Sequence, residues 1–106
     1  MSYRVVTRVT FTPEFGRLTT EEQTNEQIAA MEIVTRNGGT FESILVLPTD
    51  QAALTTTVYP DERSSMKAHL QIQARGAYEL HAQHAFTLDE WTSILEESRA
   101  EAVVGV

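Results

Sequence analysis

The chain has no cysteine among its 106 residues. Disulfide bonds, thiolate metal sites, iron–sulfur clusters and cysteine nucleophiles are therefore excluded. The sequence also lacks any apolar run close to the ~20 residues that a membrane-spanning helix needs. Strand-like sequence begins at Tyr3 with no apolar leader before it. The sequence thus predicts a cytoplasmic protein that does not enter a membrane.

Basic residues are scarce. The chain has eight lysines and arginines in total against 15 acidic residues, which gives a net charge of −7. Lys67 is the only lysine. An acidic chain without a basic cluster repels phosphate backbones, so we expect no nucleic-acid partner. The glycine-rich nucleotide motifs and the G-x-S-x-G nucleophile elbow are absent as well. An enzyme built from this chain would have to use acid–base chemistry, desolvation and shape, or borrow a cofactor.

What the sequence does contain is an ordered series of strand and helix patterns. Period-two alternation predicts strands, and helical spacing behind capping signals predicts helices. Strands are expected at 3–11, 40–47, 53–59 and 78–86, and helices at about 20–36, at about 61–75 and from 87 onward, with 12–18 irregular. The order β-α-β-β-α-β with an extra C-terminal helix is the ferredoxin-like layout. We therefore predict one α+β domain over residues 1–106, with a four-stranded antiparallel sheet and two helices on one face.

This layout leaves one face of the sheet without helices. Val6, Ile44 and Val46, or their neighbours in the opposite register, would lie on that open face. Apolar side chains in such a position indicate a partner, most simply a second copy related by twofold symmetry. The sequence therefore predicts a homodimer that pairs sheet to sheet.

His69 is the most informative candidate for chemistry. A helical wheel places it between Met66 and Ile72, on the apolar side that also holds Leu70. The commoner interpretation is a core histidine that hydrogen-bonds to the backbone or to a tyrosine. The functional interpretation is a general base, or a group that orients a ligand, in a pocket between the helices and the sheet. Tyr59 immediately precedes this helix and is the tyrosine of most interest.

The other histidines and the single tryptophan allow weaker predictions. His81 and His84 are three residues apart on a strand, so their rings point to opposite sides and a shared metal site is not expected. One of the two could line a pocket, and His84 is our candidate. Trp91 continues the apolar stripe of Ile94 and Leu95 and is expected to anchor the last helix.

One segment resembles a known family. The run from Val58 to Leu70, with an aromatic at the strand end, an acidic link and Ala-His-Leu on the helix, is similar to the antibiotic biosynthesis monooxygenase-like family, and so is Trp91 after the fourth strand. The resemblance implies a dimeric α/β barrel with a pocket in each subunit. Some members oxidise anthrone- or quinol-like aromatics without metal or flavin. It therefore implies a cofactor-independent monooxygenase that acts on a small apolar or aromatic molecule.

The same resemblance assigns roles to residues. His69 would be the base or the orienting group, and Tyr59 would donate a hydrogen bond to the developing oxyanion. The substrate would be surrounded by apolar side chains, namely Phe41, Met66, Leu70 and Trp91. The first strand has no asparagine and the only tryptophan is on the last helix, so haem breakdown, a branch of this family, is not expected. Two alternatives stay open: a non-catalytic ligand-binding or stress-response module, and an isomerase with the same pocket.

Overall fold

A computed structural model describes residues 2–104, and their side chains through Ala102. Four strands and four helices follow in the predicted order, with one short helix added after the first strand. Their bounds are β1 Tyr3–Phe11, α1 Pro13–Gly16, α2 Thr20–Arg36, β2 Thr40–Leu47, β3 Ala52–Tyr59, α3 Glu62–Gln73, β4 Tyr78–His84 and α4 Leu88–Val104, with a 3₁₀ turn at Pro48–Asp50 between β2 and β3.

The four strands form one antiparallel sheet in the order β2-β3-β1-β4. Helices α2 and α3 pack against each other, and their buried side chains share one core with the residues of one sheet face. The core lies between these two layers and is formed by buried apolar side chains, among them Val5, Val34, Tyr59, Ile72 and Tyr78. The α+β class and the ferredoxin-like layout predicted from the sequence are confirmed.

Local capping interactions explain where the two packed helices begin. The Thr19 hydroxyl accepts from the Glu22 N–H, and the Glu22 carboxylate accepts from the Thr19 N–H, so α2 starts with a capping box. The Asp61 carboxylate accepts from the Ser64 N–H at 2.7 Å and starts α3. Gly38, at a φ of +82°, ends α2 as the sequence predicts.

The largest differences from the predicted elements lie after β1 and at the end of β4. The stretch after β1, expected to be irregular, contains helix α1, because Thr12 caps it and Pro13 occupies its first turn. Strand β4 ends at His84 rather than at residue 86. The Ala85 N–H makes the last bond to β1, to the carbonyl of Arg4, and the chain then turns into α4.

The inward face of α3 also differs from the prediction. Ala68 and Ile72 are buried and Ser65 and His69 are half-buried, so positions 65, 68, 69 and 72 share the side that faces the sheet. Met66 and Leu70 lie one turn apart on the outer side of α3, away from the sheet. Their side chains are therefore 51% and 57% exposed. The prediction that these two apolar residues point inward with His69 is wrong.

The open face of the sheet carries apolar residues, but only part of the predicted set. Val6 lies on it, opposite Thr56. A register irregularity between Phe41 and Ser43 sets the alternation of β2, so that Ile44 and Val46 share the helix side with Thr55 and Ala53. Their neighbours Leu45 and Leu47 therefore lie on the open face, together with Leu54 and Val58 of β3.

The molecule, including α4, measures 61 × 29 × 20 Å. Helix α4 projects from the rest of it. The Thr87–Glu90 capping box starts it as predicted, and Glu90 also pairs with Arg4. Beyond this first turn, α4 makes only isolated contacts with the other elements, and Trp91 is 48% exposed. Trp91 is therefore not part of the buried core of the described chain. None of the helices in residues 2–104 combines the length and the apolar character that crossing a bilayer requires.

Candidate functional site

A cavity of about 200 Å³ lies between the two packed helices and the sheet. Its floor is formed by alternate residues of the strands, such as Val5, Val9 and Leu80, and α2 and α3 form its roof. Its walls are mostly apolar. No aspartate, glutamate, lysine or arginine of residues 2–104 lines it. A cavity of ~150 Å³ accommodates benzene, so this one has room for a one- or two-ring molecule.

The polar groups of the cavity come from both layers. His69 and Ser65 line it from α3, Gln27 lines it from α2, and three threonines of the sheet contribute hydroxyls. The His69 ring is half-buried and forms no hydrogen bond with any residue in the described part of the chain. This geometry does not fit the commoner interpretation of a hydrogen-bonded core histidine. It leaves both ring nitrogens of His69 free to contact a ligand.

Tyr59 lies at the end of β3 and is 7% exposed. Its side chain lines the same cavity as His69, so the two residues that the sequence singled out for chemistry share one site. Burial raises the pKa of the Tyr59 phenol. The hydroxyl is therefore protonated at neutral pH and can donate a hydrogen bond.

The cavity is open at the edge near β2. Met31, Ile44 and Val46 line it and yet are 44%, 42% and 59% exposed. These residues form an apolar mouth through which a ligand can enter, and a molecule larger than the cavity can extend out between them.

The four apolar residues assigned by resemblance do not lie together. Phe41 lines the cavity, because its position on β2 faces the helices. Met66 and Leu70 lie on the outer side of α3, and Trp91 lies on the projecting α4, so none of these three lines it. The apolar walls come instead from the strands and from α2, through residues such as Val9, Ala30 and Val34.

His84 and His81 lie on opposite faces of the sheet, as their spacing predicts. His84 is opposite Val5 on the helix side, and His81 is opposite Arg8 on the open face. The His84 ring packs against Tyr3 and Phe86, with ring centroids 4.0 and 4.3 Å away. It borders a separate depression next to α4 and does not line the cavity. Within residues 2–104, no three metal-ligating side chains come together.

Sequence reasoning did not select Ser65, Gln27 or Tyr78, which also line the cavity. Ser65 lies one helical turn before His69, so the i, i+4 spacing offered a signal for it. Tyr78 lies on β4 two residues before Leu80, and alternation places both on the same face. A tyrosine at a strand end is commonly exposed, and nothing in the sequence showed that this one is buried.

Comparisons with known proteins give one positive result. No curated protein matches the chain. The GYD domain matches residues 5–95, a range that includes both cavity helices and the start of α4. This is a ferredoxin-like domain related to the antibiotic biosynthesis monooxygenase superfamily, whereas membership of the monooxygenase family itself stays a prediction. The chain belongs to the GYD domain family.

Proposed function

We propose that the chain is a cofactor-independent monooxygenase that oxidises a small aromatic or quinol-like molecule in the cavity between helices and sheet. The observation that carries this proposal is the position of His69: its imidazole has no hydrogen-bond partner among the described residues and lines an apolar cavity of about 200 Å³. A neutral imidazole in such a place can accept a proton from a weakly acidic ligand. A cytoplasmic location is part of the proposal and rests on composition alone.

The reaction balances with dioxygen as the only co-reactant. For an anthrone-like substrate, a ring nitrogen of His69 accepts a proton from the acidic CH₂ carbon. The carbanion gives one electron to dioxygen, and the two radicals combine to form a carbon–oxygen bond. The resulting peroxide takes back the proton and loses water, which leaves a carbonyl. One atom of dioxygen enters the product and the other leaves as water.

The surroundings of His69 support the steps that involve charge. Tyr59 supplies a protonated phenol that can donate to the oxyanion of the deprotonated substrate. A ligand that fills the apolar cavity displaces water from it, which strengthens this hydrogen bond and protects the carbanion from reprotonation.

Oxygen uptake with anthrone tests this function. We expect the wild-type chain to consume dioxygen and form anthraquinone faster than buffer alone, and we expect His69→Ala to fall to the buffer rate. His81→Ala is the matched control, because His81 lies on the opposite face of the sheet and its loss should leave the rate unchanged. Uptake that persists in a folded His69→Ala variant would overturn the assignment of the base.

A non-catalytic binding module is the second candidate. It is favoured by the absence of any carboxylate among the described residues that line the cavity, because a catalytic histidine is commonly oriented by such a group. Binding of anthrone without uptake of dioxygen would identify this module. Conversion of a substrate without uptake of dioxygen would indicate the remaining alternative, an isomerase that uses the same cavity.

We further propose that a second copy of the chain covers the open face of the sheet. Val6, Leu54 and Val58 are half-buried there and Leu45 is 57% exposed, so apolar surface is available across three strands. Arg4 pairs with Glu42 and Arg8 pairs with Asp50 on the same chain, so the two arginines of this face bring no uncompensated charge. A twofold axis through such a face brings its apolar residues against the same residues of the second copy.

A further inference from the structure

The polar side chains that line the cavity are concentrated towards one end of it. On β3 the lining residues change from polar to apolar with distance from the strand end; in that order they are Tyr59, Thr57, Thr55 and Ala53. On α3 they change in the same sense with distance from the helix start; in that order they are Ser65, His69 and Ile72. Only Pro60 and Asp61 separate the two elements, and α3 contacts β3, so the helix runs back over the strand. The polar residues of both elements therefore lie at the same end of the cavity, which we call the polar end.

Two hydroxyls at the polar end are accessible and are not used by the fold. In α2, the hydroxyls of Thr24 and Thr35 each donate to the carbonyl four residues earlier. The hydroxyls of Ser65 and Thr57 line the cavity and form no hydrogen bond with any residue in the described part of the chain. Among the described residues that are not exposed, only Tyr78 has a side-chain polar atom that is both buried and unpaired. The two unpaired hydroxyls therefore have accessible surface, and that of Thr57, a residue only 3% exposed, faces the cavity.

The polar end offers both donors and acceptors of hydrogen bonds. A serine or threonine hydroxyl can donate and accept, and a neutral imidazole has one donor and one acceptor. No charged residue of the described chain lines the cavity, so nothing there would compensate the charge of a carboxylate or an amine. A hydroxyl group of a ligand, which also donates and accepts, is a neutral group that satisfies such a set. The rest of the ligand would lie against apolar side chains such as Val9, Phe11 and Leu80, which suits an aromatic ring.

We propose that the hydroxyls of Ser65 and Thr57 bind the hydroxyl group of a phenol and hold it next to His69, so that the cavity favours phenols over rings without a hydroxyl. Ser65 is the neighbour of His69 one helical turn earlier, so a ligand group bound by one lies within reach of the other. The inference rests on the proposed function to the extent that both require a small molecule in this cavity. It names the substrate class of that cavity and does not require a reaction with dioxygen.

The test compares two probes that differ only in the hydroxyl group, 1-naphthol and naphthalene. Titration calorimetry in the absence of dioxygen measures both affinities and prevents the proposed reaction from consuming a probe. We expect Ser65→Ala and Thr57→Val each to weaken the binding of 1-naphthol about three- to tenfold, because one hydrogen bond is lost, and to leave the binding of naphthalene unchanged. Ser64→Ala and Thr56→Val are the matched controls and should change neither affinity. Ser64 does not line the cavity, and Thr56 lies on the open face of the sheet.

The outcomes separate this inference from the proposed function. If 1-naphthol binds the wild type and both cavity variants equally well, the role of the two hydroxyls is overturned, while the cavity remains a binding site and His69 its candidate base. If the variants weaken both probes by the same factor, the hydroxyl group of the ligand is not what they bind, which also overturns the inference. If neither probe binds the wild type, the small-molecule site itself is overturned. Should Thr57→Val fail to fold, Ser65→Ala decides alone, since alanine is favourable in a helix.

Discussion

At the scale of single residues, the cavity depends on one close approach between the end of α2 and Tyr59. Gly39 is buried, and a Cβ atom at this position would lie 2.6 Å from Cγ1 of Val34 and 2.8 Å from Cε1 of Tyr59. The Val34 carbonyl oxygen would be only 3.0 Å away, and this backbone atom cannot move independently of α2. The missing side chain at residue 39 therefore lets the Tyr59 ring take its place in the cavity wall.

We predict that Gly39→Ala destabilises the protein by about 1–3 kcal/mol, because the new methyl group overpacks this contact. Urea denaturation measures the free energy of unfolding. Gly16→Ala is the control, since a Cβ there meets nothing within 4 Å, and it should change stability by about 1 kcal/mol or less. Equal stability of Gly39→Ala and the wild type would contradict the described packing.

At the scale of elements, α3 carries two of the polar groups of the cavity, and its start is fixed by one carboxylate. Asp61 accepts from the Ser64 N–H, and this bond lowers the pKa of Asp61. Because the folded-state pKa is below that of the unfolded chain, the stabilisation is present above the unfolded pKa. It is lost as the pH falls through the folded-state pKa.

We predict that Asp61→Ala lowers the melting temperature at pH 7 by a few degrees. Asp61→Asn should retain most of the stabilisation, since asparagine is also a good N-cap. The difference between the wild type and Asp61→Ala should shrink as the pH is lowered towards 3. Thermal melts followed by circular dichroism measure both effects. A difference that grows at low pH would contradict the described cap.

The elements were largely predictable because their signals are local. Period-two alternation gave β1 and β2 with the bounds that the structure has, and the capping boxes gave the helix starts within a residue or two. Helix α1 was missed because four residues are too few to show a period. Its signal was Thr12 before Pro13, a cap followed by a residue that favours the first helical turn.

The candidate site was less predictable, because it depends on which face of α3 is directed at the cavity. A wheel weighted by hydrophobicity turned Met66 and Leu70 inward, whereas the structure turns in Ser65 and Ala68 beside His69. A filled core would require large apolar side chains at these positions, whereas a cavity allows small and polar ones. The burial of Tyr78 depends on Phe11 and Phe15, contacts that link distant parts of the sequence.

At the scale of the whole molecule, two apolar surfaces are only partly covered within the described chain. One is the open face of the sheet, and the other is the stripe of α4 that contains Trp91. Exposed apolar surface of this extent in a chain of 106 residues favours association, because a second copy supplies the burial that a small domain lacks.

We predict that the wild type sediments as a dimer at micromolar concentration and that Leu45→Asp sediments as a monomer, because a buried unpaired carboxylate is strongly disfavoured in an interface. Leu70→Asp is the matched control: Leu70 is also 57% exposed, but it lies on the outer side of α3. This variant should remain a dimer. A monomeric wild type would contradict the proposed pairing of sheets.

The central claim is that the cavity receives a small ring molecule that touches His69. Imidazole resonances of the three histidines, followed by NMR during a titration with 1-tetralone, test it most directly. The account predicts that the His69 resonances shift to a saturating limit while those of His81, on the other face of the sheet, stay in place. His69 resonances that do not move while 1-tetralone binds the protein would contradict it.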